Sequence, residues 1–550
     1  MVPPPPKVVN DALLKLGNPG KHSILVFILL CFNYFPVAFN HLLMAIYGAT
    51  PSHRCKLEDG LLPNESIPMT KSGGLESCQV YVNYSSSTNK TQSCPNGWEY
   101  VLEDGDSTIV NEWDLVCERR YLVGLASSIY FVGVMFGGLV FGTLSDKLGR
   151  KPIMLITLFL PILFGVMQYF VQNFILFLIN RFIIGFLMQG LQLGSVVLMA
   201  ELFVGHKHRA YTNGVNETFW GSGVMALAGV AYLFKDWRKI QLAISVPSVV
   251  CIFFIWVIPE SIRWMCSQNR CKEAEKVWRK AAKFNKVALE DDPFQRRLVT
   301  SHKPEEDEDT STKTYTVVDI LKTPKLRKRS LIMFYVWLAT SLGYYGLSLQ
   351  ASRLASNKYL AFFISGAVEF PIYPAGVFII SKFGRKKPLF IYFIIGGISC
   401  ICAGTIPKAA GDGSDISWLS TTLAWLGKAS MAGCFSVLFL YGAEVYPTVV
   451  RNIGVGACAF WARVGSVIAP QINTLGDYTI SWLPIVIFGA AAVFGGLATL
   501  FLPETLNKKL PDTIEEVERK QTEEDDRPEF KDMNGNANPA LELDGHNARL

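Results

Sequence analysis

Apolar residues in this chain come in long unbroken runs, not in the short alternating or 3.6-residue stripes of a soluble fold. A helix needs about 20 such residues to cross a bilayer. Runs of that kind lie near 23–47, 122–144, 152–173, 175–203, 210–234, 239–258, 331–350, 360–381, 388–407, 418–446, 452–473 and 481–503. They predict an all-α membrane protein with twelve transmembrane helices, 175–203 being long enough to tilt. Six runs precede the polar segment 259–330 and six follow it, which predicts two six-helix bundles, 23–258 and 331–504. The segment opens with RCKEAEKVWRKAAKFN, where Ala274, Val277, Trp278 and Ala281 share a helical face. We therefore expect a cytoplasmic linker with amphipathic helices, followed by a flexible acidic stretch. The ends, 1–22 and 505–550, read as cytoplasmic tails, the second largely disordered.

Charge sets the orientation. Lys7, Lys15, Lys21, Lys147, Arg150, Lys151, Lys207, Arg209, Lys382, Arg385, Lys386 and Lys387 all fall on one side if every run crosses. By the positive-inside rule that side, with both termini, is cytoplasmic. The net charge of +6 comes from these loops and predicts no nucleic-acid partner. The composition, 50% hydrophobic and 18% charged, excludes a large soluble protein. The first run is too long for a cleavable signal peptide. The long loop 48–120 should face outward. It carries Cys55, Cys78, Cys94 and Cys117, an even number that reads as two disulfides with three connectivities open. It also carries glycosylation sequons at Asn64, Asn83 and Asn89.

Repeated motifs relate the two bundles. GTLSDKLGRKP (Gly142 to Pro152) follows the second run and SKFGRKKP (Ser381 to Pro388) the eighth. AELFVGHKHR (Ala200 to Arg209) ends the fourth and AEVYPTVVR (Ala443 to Arg451) the tenth. Such duplication predicts a binding site between the halves near the midplane. Gly142 allows close helix approach, Gly149 a tight turn, and Asp146 an ion pair that bridges bundles in one conformation and breaks in another. Glu201 with Arg209, and Glu444 with Arg451, add charge at helix ends. These residues, with Arg150, are expected to gate. The second copy has Ser381 in place of the aspartate, so its latch should be weaker.

GTLSDKLGRK resembles the cytoplasmic signature of the major facilitator superfamily. PESIRW (Pro259 to Trp264), EVYPTVVRN (Glu444 to Asn452), LPET (Leu502 to Thr505) and STIVNEWDLVC (Ser107 to Cys117) resemble its organic cation, anion and zwitterion transporters, solute carrier family 22. The resemblance spans nearly the whole chain. It implies a plasma-membrane secondary transporter working by alternating access as a monomeric unit, with the lipid bilayer and a small organic ion as partners. No cofactor is expected, sodium or proton coupling is left open, and no nucleophile–base constellation, metal cluster or phosphate-binding loop suggests an enzyme.

Three charges sit away from helix ends in this reading: Glu217, Glu369 and Arg463. Arg463 lies within GVGACAFWARVGSVIAPQI, and a fixed charge at that depth costs roughly 2.5–3.5 kcal/mol on insertion scales. Aromatic residues at similar depth, Trp220, Trp337, Tyr344, Tyr345, Phe435 and Tyr441, could hold an ammonium by cation–π contact. Gln189 and Gln192 stand where cation-type members of the resembled family tend to carry a lysine and a tryptophan. Those members tend to carry aspartate where this chain has Arg463, whereas anion and carnitine types carry arginine. Anion types also place a lysine where this chain has Tyr373, so the anion reading lacks a second positive charge. Carnitine types place an asparagine after the first-helix proline, where this chain has Val37, with Asn33 and Asn40 nearby. The expected substrate is a carnitine- or betaine-like zwitterion. An organic anion, an organic cation, and a substrate-sensing receptor on the same fold are the alternatives.

Overall fold

The computed structural model describes all residues except 1–5, 18, 71–73, 83–89, 103–104, 205, 288–314, 354–356, 408–414, 509 and 519–550. Asn83, Asn89, the acidic linker stretch and the C-terminal tail therefore lie outside the described residues, as does the Arg209 side chain.

Each apolar run becomes a helix because only a helix satisfies every backbone amide within one segment in lipid. The first half contains α1 (Lys21–Tyr47, interrupted twice), α2 (Tyr121–Leu148), α3 (Arg150–Phe170), α4 (Phe174–Leu202), α5 (His206–Phe234) and α6 (Trp237–Val257). The second contains α7 (Pro324–Gln350), α8 (Lys358–Phe383, broken between Ala367 and Ile372), α9 (Lys386–Thr405), α10 (Ser417–Val445), α11 (Arg451–Tyr478) and α12 (Leu483–Thr499). Among the described residues, 10 helices are long and apolar enough to cross a membrane by length and composition. The other two, α5 and the shorter α12, occupy the places of the fifth and twelfth expected helices. In α5 the polar residues Thr212, Asn213, Asn216, Glu217 and Thr218 dilute the apolar run.

Small residues set the closest crossings. A side chain at Gly133 or Gly137 of α2 would lie 2.2 or 2.3 Å from the Phe182 or Phe186 carbonyl of α4. The halves are tied at the face that carries the 48–120 loop. Arg120 pairs with Asp477 at 3.0 Å, Ser128 Oγ donates to the Val467 carbonyl at 2.7 Å, and Ser352 Oγ donates to the Ala45 carbonyl at 2.6 Å. Arg120, Ser352 and Asp477 line two cavities here, a small one of ≈ 40 Å³ between the helix ends and a large one of ≈ 1480 Å³ that the 48–120 loop also lines. In the loop, β1 (Ser52–Cys55) pairs with β4 (Trp98–Val101), and β2 (Gln79–Tyr81) with β3 (Thr91–Ser93). The disulfides are Cys55–Cys94 and Cys78–Cys117, one of the three arrangements the sequence leaves open. Asn64 is exposed in the short helix Pro63–Ser66.

On the opposite face, Cys271–Asn285 forms the amphipathic helix and buries Ala274, Trp278, Ala281 and Ala282. Its partner is a helix absent from the sequence expectation, Pro6–Lys15, which contributes Val9, Ala12, Leu13 and Leu16. Trp278 Nε1 donates to the Ala12 carbonyl at 2.7 Å. The substitution Trp278→Ala would leave a cavity and that carbonyl exposed, at a cost of about 3–5 kcal/mol. Proteolysis of the purified chain should then cut within the first 20 residues far faster than in the wild type. Equal cleavage rates would refute this docking.

Candidate functional site

Four helices converge on one acidic residue. The break in α8 places Glu369 with its side chain 0% exposed. Lys428 of α10, 1% exposed, pairs with Glu369 Oε1 at 2.8 Å. Tyr344 of α7 donates from its hydroxyl toward both carboxylate oxygens, at 3.1 and 3.0 Å, and Tyr373 donates to Oε2 at 3.0 Å. Trp220 of α5 donates in turn to the Tyr344 hydroxyl at 2.6 Å, which brings the first half to the second. Glu369 is thus neutralised and fully hydrogen-bonded, as a buried carboxylate must be to persist.

Arg463 is held differently. It is partly buried, and its guanidinium donates to Gln189 Oε1 of α4 at 3.0 Å. No carboxylate pairs with it among the described residues. Tyr345, Tyr130 and Tyr34 lie within electrostatic reach. Glu217 is also partly buried, and among the described residues it has neither an ion pair nor a hydrogen bond. Glu217, Glu369 and Arg463 therefore do not pair with one another among the described residues. Arg463 and Glu217 are the charges of this group that have no ion-pair partner among the described residues.

Tyr345 and Tyr34 lie within electrostatic reach of both charges, and further rings pack on Tyr345. Tyr345 packs edge-on to Tyr344 at 5.2 Å and tilted on Phe131 at 4.7 Å, while Phe435 lies 5.5 Å from Tyr344. His41 stacks on Tyr345 at 6.1 Å and meets Trp220 at 5.4 Å. His41, Phe131 and Tyr130 were missed by the sequence reading, which took no aromatic residue from the first two helices. Two expected residues lie elsewhere. Tyr441 donates to the Pro503 carbonyl at 2.5 Å, near the motif-bearing end of α10. Trp337 is fully buried against Phe439, about two helical turns from Tyr344. Gln192 is partly buried, and its side-chain oxygen has no partner.

The count of three intramembrane charges needs correction, because Lys428 and Arg181 are buried as well. Arg181 of α4, 1% exposed, sits 4.3 Å over the Tyr130 ring and donates to the Asn40 carbonyl at 3.2 Å. The second positive charge that the anion reading lacked is therefore present, though Lys428 is committed to Glu369. The signals were visible as lone charges inside apolar runs, in INRFIIG and LGKAS.

The motif residues form two matching networks, one in each half, and not the expected bridge between bundles. In the first, Arg150 pairs with Asp146 and, at 3.2 Å, with Glu201, while the Arg150 and Lys151 amides donate to Glu260. In the second, Arg385 forks onto Glu444 at 2.7 and 2.8 Å, while the Arg385 and Lys386 amides donate to Glu504. Burial raises the Glu504 carboxyl, but four backbone amides outweigh it and hold the group below the usual carboxylate range; at Glu260 burial prevails and the group is raised. Gly149 is required because its φ of +111° is strained for any residue with a Cβ. Of the other charges expected at these helix ends, Glu201 and Glu444 join the two networks and Arg451 donates to Thr448, while the Arg209 side chain lies outside the described residues. At Ser381, where the first copy has Asp146, the hydroxyl donates to the Val377 carbonyl, and Arg385 makes a two-point contact with Glu444 instead. Gly142 faces Leu193 without crowding.

Comparison with known proteins gives a consistent picture. The family described as sugar (and other) transporter matches residues 73–517. An organic cation transporter protein of Drosophila melanogaster is 35% identical over 532 residues, spanning 92% of this chain and 94% of its own. Solute carrier family 22 member 6-A of Xenopus laevis is 33% identical, spanning 93% and 94%. Organic cation/carnitine transporter 2 of Rattus norvegicus is 32% identical, spanning 92% and 93%. In fold, the chain matches the inward-open xylose transporter XylE from E. coli with a TM-score of 0.60 at 16% identity, covering 90% of this chain and 99% of that one.

Proposed function

Because the chain belongs to the sugar (and other) transporter family, within solute carrier family 22 and on the major facilitator fold, we propose that it moves small organic zwitterions across the plasma membrane. Members of this family are membrane transporters and not enzymes. The observation that carries the substrate class is the pair of uncommitted charges. Arg463 has donors to spare beyond Gln189, and Glu217 has no partner among the described residues. A ligand with a carboxylate and an ammonium would satisfy both, and the rings of Trp220, Tyr344, Tyr345 and Phe435 would clothe its apolar body. The organic-anion reading draws support from Arg181, a second positive charge that has no carboxylate partner among the described residues.

In this proposal the disulfide-bonded loop faces outside, both termini lie inside, and the described arrangement is closed outside. Transport by one chain would exchange the Arg120–Asp477 ties for contacts on the motif-bearing face. A sodium ion at the Asn40 carbonyl would meet Arg181, so sodium coupling through Asn40 is disfavoured. Uptake of carnitine, tetraethylammonium and benzoate into vesicles, with and without sodium, tests the proposal. Carnitine should accumulate most strongly and without dependence on sodium. Preferential benzoate uptake would favour the anion reading, and binding without accumulation would favour a receptor.

A further inference from the structure

Resting on that two-sign reading, we propose that Lys428 sets the charge selectivity of the site, as a positioning residue that cancels Glu369 and staples the break in α8. The geometry is specific. Within the first segment of α8, the Val368 amide still bonds the Ile364 carbonyl at 3.0 Å, but the Glu369 amide shortens its reach to the Gly366 carbonyl at 3.1 Å. The Ser365 carbonyl thereby loses the amide an unbroken helix would supply. Lys428 Nζ takes that carbonyl at 3.1 Å, the Ser365 hydroxyl at 2.5 Å and Glu369 Oε1 at 2.8 Å. Three partners use the three donors of an ammonium.

The consequence reaches the ligand through Tyr344. With its charge cancelled, Glu369 adds no net charge to the proposed site and serves as an anchor for the Tyr344 and Tyr373 hydroxyls. Without Lys428, a carboxylate that is 0% exposed stands beside Glu217 with nothing to balance it. Without Glu369, an equally buried ammonium has no carboxylate to balance it, in a site that already holds the Arg463 cation. Either loss shifts the net charge of the site by one unit at a depth where solvent screens little. Selectivity between cations and anions should follow that unit, whereas a merely structural role would weaken all ligands alike.

The test uses purified full-length chain and the ratio of dissociation constants for tetraethylammonium and benzoate. Lys428→Gln should shift the ratio toward tetraethylammonium by at least about tenfold, and Glu369→Gln should shift it toward benzoate by a similar factor. The double variant, with net charge restored, and Lys428→Arg should both return to within about threefold of wild type. Unchanged ratios in the single variants, or a double variant no closer to wild type than the singles, would overturn the proposal. Should a single variant fail to fold, the double variant decides alone. It must fold and keep the wild-type ratio, and misfolding or an altered ratio counts against Lys428. Carnitine uptake by the wild type is a separate matter, since its absence would sink the zwitterion reading while the ratio still decides the role of Lys428.

Discussion

Replacing Arg463 by alanine should lower carnitine uptake by about two orders of magnitude or more, with the variant still present at the cell surface. The size follows from removing one partner of a desolvated charged contact, typically about 2–5 kcal/mol. Surface delivery should survive because Arg463 holds no carboxylate in place; it donates to the neutral Gln189 amide, which leaves no stranded charge when the guanidinium goes. Arg463→Asp should be at least as damaging, since it sets a negative charge against the substrate carboxylate. Arg463→Lys should recover only part of the activity, because an ammonium lacks the two-point fork of a guanidinium. Near-normal carnitine uptake in the alanine variant, measured at matched surface abundance, would remove Arg463 from the site.

The Glu217→Gln variant should separate substrates by charge. Glutamine keeps the shape and the hydrogen-bonding oxygen but loses the charge. At about 6 Å and an effective dielectric near 20, one unit charge is worth about 3 kcal/mol to an ammonium. Carnitine and tetraethylammonium uptake should therefore fall by at least about tenfold. Benzoate uptake should hold steady or rise, because the site loses its free negative charge. No ion pair among the described residues depends on Glu217, so folding is expected to be unaffected. Equal losses for cation and anion would instead indicate a general packing defect in α5.

Much of this was legible in the chain. Unbroken apolar runs fixed the helices, because lipid leaves the backbone no alternative. Charge asymmetry and the paired GRK motifs pointed to two related halves, and the networks of Arg150 and Arg385 have matching partners in each. What escaped was pairing across distance. Lys428 and Glu369 are 59 positions apart in sequence, and nothing local in LGKAS reveals that its ammonium reaches a break in another helix. Arg181 was overlooked for a similar reason, because its cost is met by the Tyr130 ring and a backbone carbonyl of α1 and not by any acidic neighbour. The disulfide arrangement was open in principle, since four cysteines in one loop fit three pairings. The helix Pro6–Lys15 has Val9, Ala12 and Leu13 on one face, a short helical pattern that the sequence reading passed over, and Trp278 gives that face a surface to pack on.

The claim that Arg463 receives a substrate carboxylate is tested most directly by a cycle of two ligands and two proteins. Carnitine and carnitine methyl ester share the ammonium and differ in the charge of the carboxyl group. Initial uptake of each is measured with the wild-type chain and with Arg463→Ala. The wild type should prefer carnitine over its ester by at least about tenfold, and that preference should vanish in the variant. A preference that persists undiminished without Arg463 would place carboxylate recognition elsewhere and contradict the account.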